Sequence, residues 1–460
     1  MKISLVRCPC INLPYPPPIG LAYISSSLKA AGHEVFIFDL NVEFFHHAKV
    51  EDREKWVTSD VNSLIALAES INYKYEELVD HYIRKILDTQ AEIIGFSVWN
   101  TNSLFSLRLA EEIKRRDKNR FVVFGGPECF PRWSGMFLIQ NEAVDAVVYG
   151  EGEETLKEIS SSLEKSGKVE FPQGSIIRKG SKEIDCGPRR PIEDLNALPF
   201  PDFTDFPMDK YLTHHLPIVF SRGCPRKCSY CSTPGTTPGY RWRHAKGIFE
   251  EIKSQLQKHP DKVGFDLYSP ALNSNIEELS KLCDFILQDK MKFGWSGFAI
   301  IDPGMKSDLL KKMRKAGCSG LNFGIESGSQ KIINRMRKGF RIEDAERLIR
   351  DAHNAEMETV VNFIIGFPDE TEGDFQETME FISRNSDYIS FIGSMALCWI
   401  EPYIYIFDHP DEFDIILGHH PMHWHSRDGK NDLQIRQDRK KRFEEFVSSL
   451  GKEITFPKPV

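Results

Sequence analysis

Short continuous apolar runs alternate with longer amphipathic stretches through the first part of this 460-residue chain. Ile3–Val6 reads as a strand, Leu21–Ala31 as a helix ended by Gly32, and Glu34–Asp39 as a second strand. A polar helical insertion is expected over about 52–90, then a strand at Ile93–Val98, a helix through Arg116, and strands at Phe121–Phe124 and Asp145–Tyr149. Strands that are apolar throughout, separated by helices, predict a parallel sheet covered on both faces. The expected fold class is α/β, opening with a doubly wound, Rossmann-like domain over residues 1–170.

Between 171 and 211 the texture turns to Pro, Gly and charge, as in Pro188–Pro191 and Pro199–Pro201, which predicts a linker. Alternation resumes over 212–395, with strands expected at Leu216–Phe220, Lys262–Leu267, Lys292–Trp295, Gly320–Gly324, Thr359–Ile365 and Tyr388–Phe391. In α/β barrels built of such units the reacting groups sit at the carboxyl ends of the strands. Residues 396–460 form a terminal extension rich in aromatics and histidines, in which Lys430–Phe446 reads as a charged helical tail.

Composition narrows the class. Hydrophobic residues make up 41% of the chain, enough for several cores, and the net charge of −8 argues against a nucleic-acid partner. Basic runs such as Lys114–Arg116 and Arg436–Arg442 read as solvated helix faces. Met1–Arg7 is too short an apolar run for a signal peptide and no stretch is apolar enough to span a bilayer, so a cytoplasmic protein is expected. Outside one cluster the cysteines are scattered, which in a reducing compartment reads as buried free thiols.

That cluster is Cys224-Pro-Arg-Lys-Cys228-Ser-Tyr-Cys231. Zinc sites close with four ligands, typically in two pairs, whereas three thiolates on one short loop can hold three corners of a [4Fe–4S] cube and leave an iron open. A zinc knuckle borrowing His244, or three thiols that merely pack, are the other readings of the spacing.

The spacing, with Tyr230 before the last cysteine, resembles the signature of the radical SAM superfamily. The resemblance implies that Cys224, Cys228 and Cys231 hold a [4Fe–4S] cluster whose open iron is chelated by S-adenosylmethionine. One electron passed into the sulfonium then releases a 5′-deoxyadenosyl radical. Gly324–Ser329 followed by Met336–Gly339 is similar to the family's fourth-strand signature, and Phe363–Thr371 to its fifth-strand turn. By that likeness Glu326 and Ser327 contact the polar end or ribose of S-adenosylmethionine, and the backbone of Gly366 and Tyr230 meets the adenine. Glu326 is equally open to a reading as a structural cap for the following helix. Asp369 stands where the family more usually has glycine. The family likeness makes 212–395 a partial (β/α)6 barrel.

Pro16–Gly20, Asn100–Ser103, Gly125–Glu128 and Gly150–Glu154 follow strands of the first domain. Ligands bind outside such carboxyl ends, where glycine lets the backbone come close. Neither GxGxxG nor a Walker lysine motif is present, so a dinucleotide or nucleoside triphosphate is not favoured. Pro16–Val35, Ile93–Trp99, Val123–Glu128 and Ala146–Leu156 together resemble the amino-terminal cobalamin-binding domain of one branch of the superfamily. The likeness implies cobalamin near Gly20, Ser97, Gly125, Gly126, Gly150 and Glu151. No Asp-x-His-x-x-Gly is present, so cobalt would lack a histidine ligand; a domain that keeps the fold without the cofactor is the competing reading.

Two departures stand out. Asp266–Asn275 lacks the paired acidic feature usual after the second barrel strand, and Gly297–Asp302 lacks the arginine common after the third. Both positions would face the reaction chamber. The extension, with Trp399, Glu401, Tyr403, Tyr405, His409, His419, His420, His423, Trp424 and His425, resembles the family's lid over the barrel mouth. Its histidines read either as metal ligands or as hydrogen-bonding architecture.

The expected function is reductive cleavage of S-adenosylmethionine for cobalamin-dependent methylation of an unactivated carbon. The alternatives are a radical enzyme that cyclises, dehydrates or couples, and a non-enzymatic metal-binding interaction protein. A small-molecule or peptide substrate and an electron donor such as flavodoxin or ferredoxin are the implied partners. No catalytic side chain is assigned from sequence.

Overall fold

The computed structural model describes residues 1–10, 13–56 and 74–454. The chain divides into two compact units, Met1–Thr213 and His214–Val460.

In the first unit, strands β1 (Lys2–Arg7), β2 (Glu34–Asp39), β3 (Ile93–Ser97), β4 (Phe121–Gly125), β5 (Ala146–Val148), β6 (Ser175–Lys179) and β7 (Lys182–Asp185) form one sheet in the order β2-β1-β3-β4-β5-β6-β7. Pairings among the first five are parallel. Helices α1 (Ile19–Ala30), α2 (Leu40–His47), α3 (Glu76–Asp88), α4 (Ser103–Arg116) and α5 (Gly152–Ser166) connect them. Val6, Ile94, Phe96 and Phe124 from the sheet pack with Phe44, Ile83, Phe105 and Ile113 from the helices. Of the helical insertion expected over 52–90, α3 and a turn at Glu54–Trp56 are seen, and 57–73 lies outside the described residues.

The segment expected to be linker begins differently. β6 and β7 pair antiparallel as a hairpin closed by Gly180 and Ser181, with Gly180 at φ 65°, and β6 pairs antiparallel with β5. Ile176 and Ile177 are buried in the sheet. The charged residues around them stand on an outer strand, where charge protects a sheet edge, which is why the stretch looks like linker in sequence.

The second unit is built on β8 (His215–Val219), β9 (Gly264–Tyr268), β10 (Gly294–Ala299), β11 (Cys318–Glu326), β12 (Glu358–Ile365) and β13 (Phe391–Leu397), all parallel and in chain order across the sheet. Helices α6 (Ala245–Lys258), α7 (Ile276–Asp289), α8 (Ser307–Lys315), α9 (Ile342–Asn354) and α10 (Glu372–Arg384) alternate with the strands, and α11 (Leu433–Ser449) follows the terminal extension. Among the described residues the edge strands β8 and β13 do not pair, so the sheet is an open partial barrel.

Strand alternation divides its two faces. Phe265, Leu267, Trp295, Leu321, Phe323, Ile325, Phe363 and Ile365 are buried on one. Asp266, Ser296, Asn322, Asn362 and Ser394 stand half-buried on the other. Parallel sheets normally bury apolar side chains on both faces, so a polar face marks a chamber. Helix α9 places Ile342, Ala345, Leu348, Ile349 and Ala352 on one buried stripe, and α10 opens with a capping box in which Thr371 and Asp374 satisfy each other's backbone N–H.

The expectation that Arg436–Arg442 is a solvated face is corrected by the structure: Arg436 and Arg439 are buried. Arg436 lies over the Trp424 ring, 3.8 Å from its centroid, and donates to the carbonyls of Met422 and Trp424; Arg439 pairs with buried Glu370 at 2.9 Å. Aromatic and carbonyl partners from distant segments turn a basic stripe into a docking face.

Candidate active site

The three clustered cysteines lie on the loop that leaves β8, at the carboxyl end of the sheet. Gly223, at φ 72°, leads into it, and a side chain there would collide with the Gly239 carbonyl. The middle of the loop is held by backbone: Ser229 N donates to Met336 O (3.0 Å), Ser229 Oγ to Arg335 O (3.1 Å), and Ile406 N to Ser229 O (3.1 Å). Cys224, Cys228 and Cys231 are half-buried and free. Burial pushes the Cys224 and Cys228 thiols up and the neighbouring thiols add to this, while the Lys338 ammonium acts in the opposite direction.

Lys338 belongs to a second group beside the loop. Tyr230 Oη donates to Glu326 Oε1 (3.0 Å), and Lys338 Nζ reaches both Tyr230 Oη (3.0 Å) and Glu326 Oε1 (3.2 Å). Burial, reinforced by the Glu326 charge, raises the Tyr230 phenol well above its ordinary range. Glu326 ends β11 where its register with β12 slips, and it holds φ 71°, a left-handed conformation costing a non-glycine residue on the order of 1 kcal/mol or more. Gly324, two positions earlier, makes room for it: a Cβ there would lie 2.5 Å from Glu326 Oε1 and the carboxylate would have to shift. The carboxylate is therefore held in one place by a strained backbone, a phenol and an ammonium.

Ser327 does not join this group. It is fully buried, 3.2 Å from Thr378 Oγ1, and accepts from Ser329 N (3.1 Å). Gly366 closes the fifth-strand turn at φ 75°; its N–H donates to Glu370 Oε2 (2.8 Å), and a side chain would collide with Arg436 Cγ. Asn431 Nδ2 donates to the carbonyl of Phe367 (3.0 Å), so the terminal extension is fastened to this turn. The extension also packs Cys398, Ile400, Ile404, Ile406 and Trp424 over Ile332, Met336 and Phe367.

In the first unit, Ser97 and Gly125 are paired residues at the carboxyl edge of β3 and β4. Gly126, at φ 123°, is pressed against the next loop: a Cβ would come 2.6 Å from Val98 O. Gly150, at φ 76°, follows β5, and Glu151 accepts from Ile192 N (2.6 Å). Gly20 falls inside the first turn of α1, not on the preceding loop. At Gly20 and Gly150 an added Cβ would meet nothing within 4 Å. Trp99 just past β3, Leu104 in the first turn of α4 and Phe137 further along the chain are exposed apolar side chains.

Residues 218–382 match the family model of the radical SAM superfamily, and residues 13–160 match that of the B12 binding domain. A B12 binding domain is thus followed by a radical SAM domain in this chain. An uncharacterized methyltransferase, PH0819, of Pyrococcus horikoshii is 26% identical over 381 residues, covering 82% of this chain and 75% of that protein. Anaerobic magnesium-protoporphyrin IX monomethyl ester cyclase of Cereibacter sphaeroides is 26% identical over 379 residues, 79% of this chain but only 55% of the cyclase. The radical S-adenosylmethionine methyltransferase TsrM of Kitasatospora setae, solved with cobalamin and a [4Fe–4S] cluster, superposes with TM-score 0.70 at 16% identity, covering 99% of this chain and 91% of that one.

For a radical SAM domain the donor set of the cysteine loop fits an iron–sulfur cluster: three soft ligands on one backbone-held loop, with a cation beside them to favour thiolate. Among the described residues no three His, Cys, Asp or Glu side chains are drawn into ligand distance. In the B12 binding domain a Cβ added at Gly20 or Gly150 would meet open space, so the backbone there is free to be approached by a ring such as a corrin. In the extension, His409 stacks on Tyr405 (centroids 3.9 Å apart), and His420 packs against Trp399 and His423. Lys338 was legible only as part of the Met336–Gly339 likeness; its reach back to Glu326 depends on the fold of the intervening helix. Among the described residues no helix is long and apolar enough to cross a membrane.

Proposed function

We propose that this chain is a cobalamin-dependent radical SAM enzyme that methylates an unactivated carbon of a small-molecule or peptide substrate, drawing electrons from a carrier such as flavodoxin or ferredoxin. The observation that carries the reading is the constrained Glu326–Tyr230–Lys338 group beside the cysteine loop. Glu326 and Lys338 now neutralise one another with little exposure. The amino and carboxylate groups of a methionine end that chelates iron keep hydrogen-bonding capacity, the amino N–H donating to Glu326 and the carboxylate accepting from Lys338, which suits S-adenosylmethionine. Cys224, Cys228 and Cys231 would hold the cluster, and Gly20, Ser97, Gly125, Gly126, Gly150 and Glu151 border the crevice for the corrin. When bound, the cluster supplies the electron that cleaves S-adenosylmethionine, and cobalamin supplies the methyl group. Ser327 and Gly366 support the site from behind: Ser327 anchors the segment after Glu326, and Gly366 lets the fifth-strand turn approach closely.

The test is cofactor retention. Protein loaded anaerobically with iron, sulfide and hydroxocobalamin is expected to carry stoichiometric corrin through gel filtration, while Cys228→Ala loses the cluster's visible absorption and keeps the corrin. Corrin that washes off the wild type would overturn methylation from cobalamin and leave S-adenosylmethionine cleavage to be judged separately.

A further inference from the structure

We propose that the outward tip of the cysteine loop, Pro225, Arg226 and Lys227, together with Trp242, is the docking surface for an acidic one-electron carrier protein, a reading that rests on the loop holding a redox cluster. Charge along the chain is concentrated there. Residues 221–246 contain six arginines and lysines and no aspartate or glutamate, in a chain whose net charge is −8. Arg243 is buried and paired with Glu251. Arg226 and Lys227 stand between Cys224 and Cys228, where Pro225 and Lys227 are exposed and Arg226 is half-buried. Arg226 Nη1 donates to the Gly339 carbonyl (3.4 Å), and among the described residues neither cation meets a carboxylate.

The aromatic part of the surface lies at the root of the loop. Trp242 pairs with Ser221 in a short antiparallel ladder, stacks on Tyr240 (centroids 5.7 Å apart, planes at 29°) and stays 40% exposed. The six residues from Ser221 to Lys227 span at most about 20 Å, so the ring and both cations fit within one standard interface of about 800 Å² per partner. Arginine and tryptophan are the side chains that anchor such interfaces. A chain of net negative charge repels an acidic carrier over most of its surface, and unpaired cations steer it to the one basic tip. The half-buried cysteines lie directly behind that tip. The anionic hydroquinone of a flavodoxin docked there gives one electron to the cluster and becomes the neutral semiquinone, with no proton moved. Burial raises the Cys224 thiol and the Arg226 charge opposes it. A cation that only tuned the cluster would act on every reductant alike, whereas a docking cation acts on the carrier alone.

The experiment titrates an acidic bacterial flavodoxin and an acidic bacterial ferredoxin into the cluster-loaded, cobalamin-loaded protein under anaerobic conditions, with binding read by calorimetry. Stopped-flow bleaching of the cluster's visible absorption is then driven by flavodoxin hydroquinone or by photoreduced deazaflavin, a small neutral reductant. Carrier binding and flavodoxin-driven bleaching are expected to weaken as salt rises and to fall about tenfold or more in Arg226→Glu/Lys227→Glu, and less in Arg226→Gln/Lys227→Gln. Deazaflavin is expected to bleach wild type and variants alike. Trp242→Ser is expected to weaken binding and leave its salt dependence unchanged. The proposal is overturned if neither carrier binds the wild type, if charge reversal leaves binding and flavodoxin-driven bleaching unchanged, or if deazaflavin slows by the same factor as flavodoxin. Iron content and melting temperature of each variant separate a lost surface from a lost fold. Neither readout needs S-adenosylmethionine cleavage, so a protein that docks the carrier and releases no 5′-deoxyadenosine would fail the radical reading alone.

Discussion

Glu326 is the residue at which conformation and chemistry meet. A carboxylate kept in the left-handed region, with a glycine two positions earlier to make room, is stored strain of the kind found where a ligand is gripped. Glu326→Gln keeps the shape and removes the charge. It is expected to weaken binding of S-adenosylhomocysteine by about tenfold, roughly 1.4 kcal/mol, in equilibrium dialysis with the cluster-loaded protein. Behind it, Asp374 accepts from Ser329 Oγ (2.8 Å) and Lys331 Nζ (2.7 Å) and caps α10. Burial alone would raise this carboxyl, but the bonds from Lys331, Thr371 and Ser329 outweigh it and hold the group at about 2. An unfolded aspartate titrates near about 3.9, so the folded state binds the proton less readily. The stabilisation is complete above about pH 4 and is lost as pH falls toward about 2. Asp374→Asn is expected to lower stability at neutral pH by about 2 kcal/mol and to flatten the acid limb of the stability curve, as measured by urea melts across pH.

At the scale of elements, the terminal helix is as much a part of the barrel mouth as the strands. Arg436 has no exposure and satisfies the Met422 and Trp424 carbonyls, while its stem fills the space that Gly366 leaves. Arg436→Met keeps the stem and strands those carbonyls, with an expected loss of about 3 kcal/mol by thermal and urea unfolding. Gly366→Ala is expected to cost about 2 kcal/mol or more from collision and backbone strain, and Gly366→Ala/Arg436→Ala to lose less than the sum of the two single losses. The sequence made the repeating strands and the cysteine loop legible because their signals are local: apolar runs and fixed spacing. It hid Arg436 and Arg439, whose partners come from Trp424 and Glu370, and it hid the β6–β7 hairpin, whose charged outer residues imitate a linker. The family likeness put Ser327 beside Glu326, whereas the Ser327 side chain meets Thr378 and Ser329 and not the Glu326 group.

At the scale of the whole molecule, thiol chemistry divides the chain cleanly. Cys8, Cys10, Cys129, Cys283, Cys318 and Cys398 are buried, and burial drives Cys8, Cys283 and Cys398 up to about 12. Cys10 Sγ is already engaged by Arg7 Nη2 (3.4 Å). Alkylation of the folded, cluster-free protein is therefore expected to modify Cys224, Cys228, Cys231 and half-exposed Cys186 first, and iron–sulfide loading to protect the loop cysteines while leaving Cys186 reactive. Mass spectrometry of peptides before and after loading reads this directly.

The central claim is that the loop cysteines and the Glu326 group serve one reaction, and its most direct test is 5′-deoxyadenosine release. Anaerobically loaded protein, given S-adenosylmethionine and a strong reductant, is expected to release 5′-deoxyadenosine even without substrate, and to stop doing so in Cys228→Ala. A wild type that carries its full complement of iron and sulfide yet releases none would contradict the account.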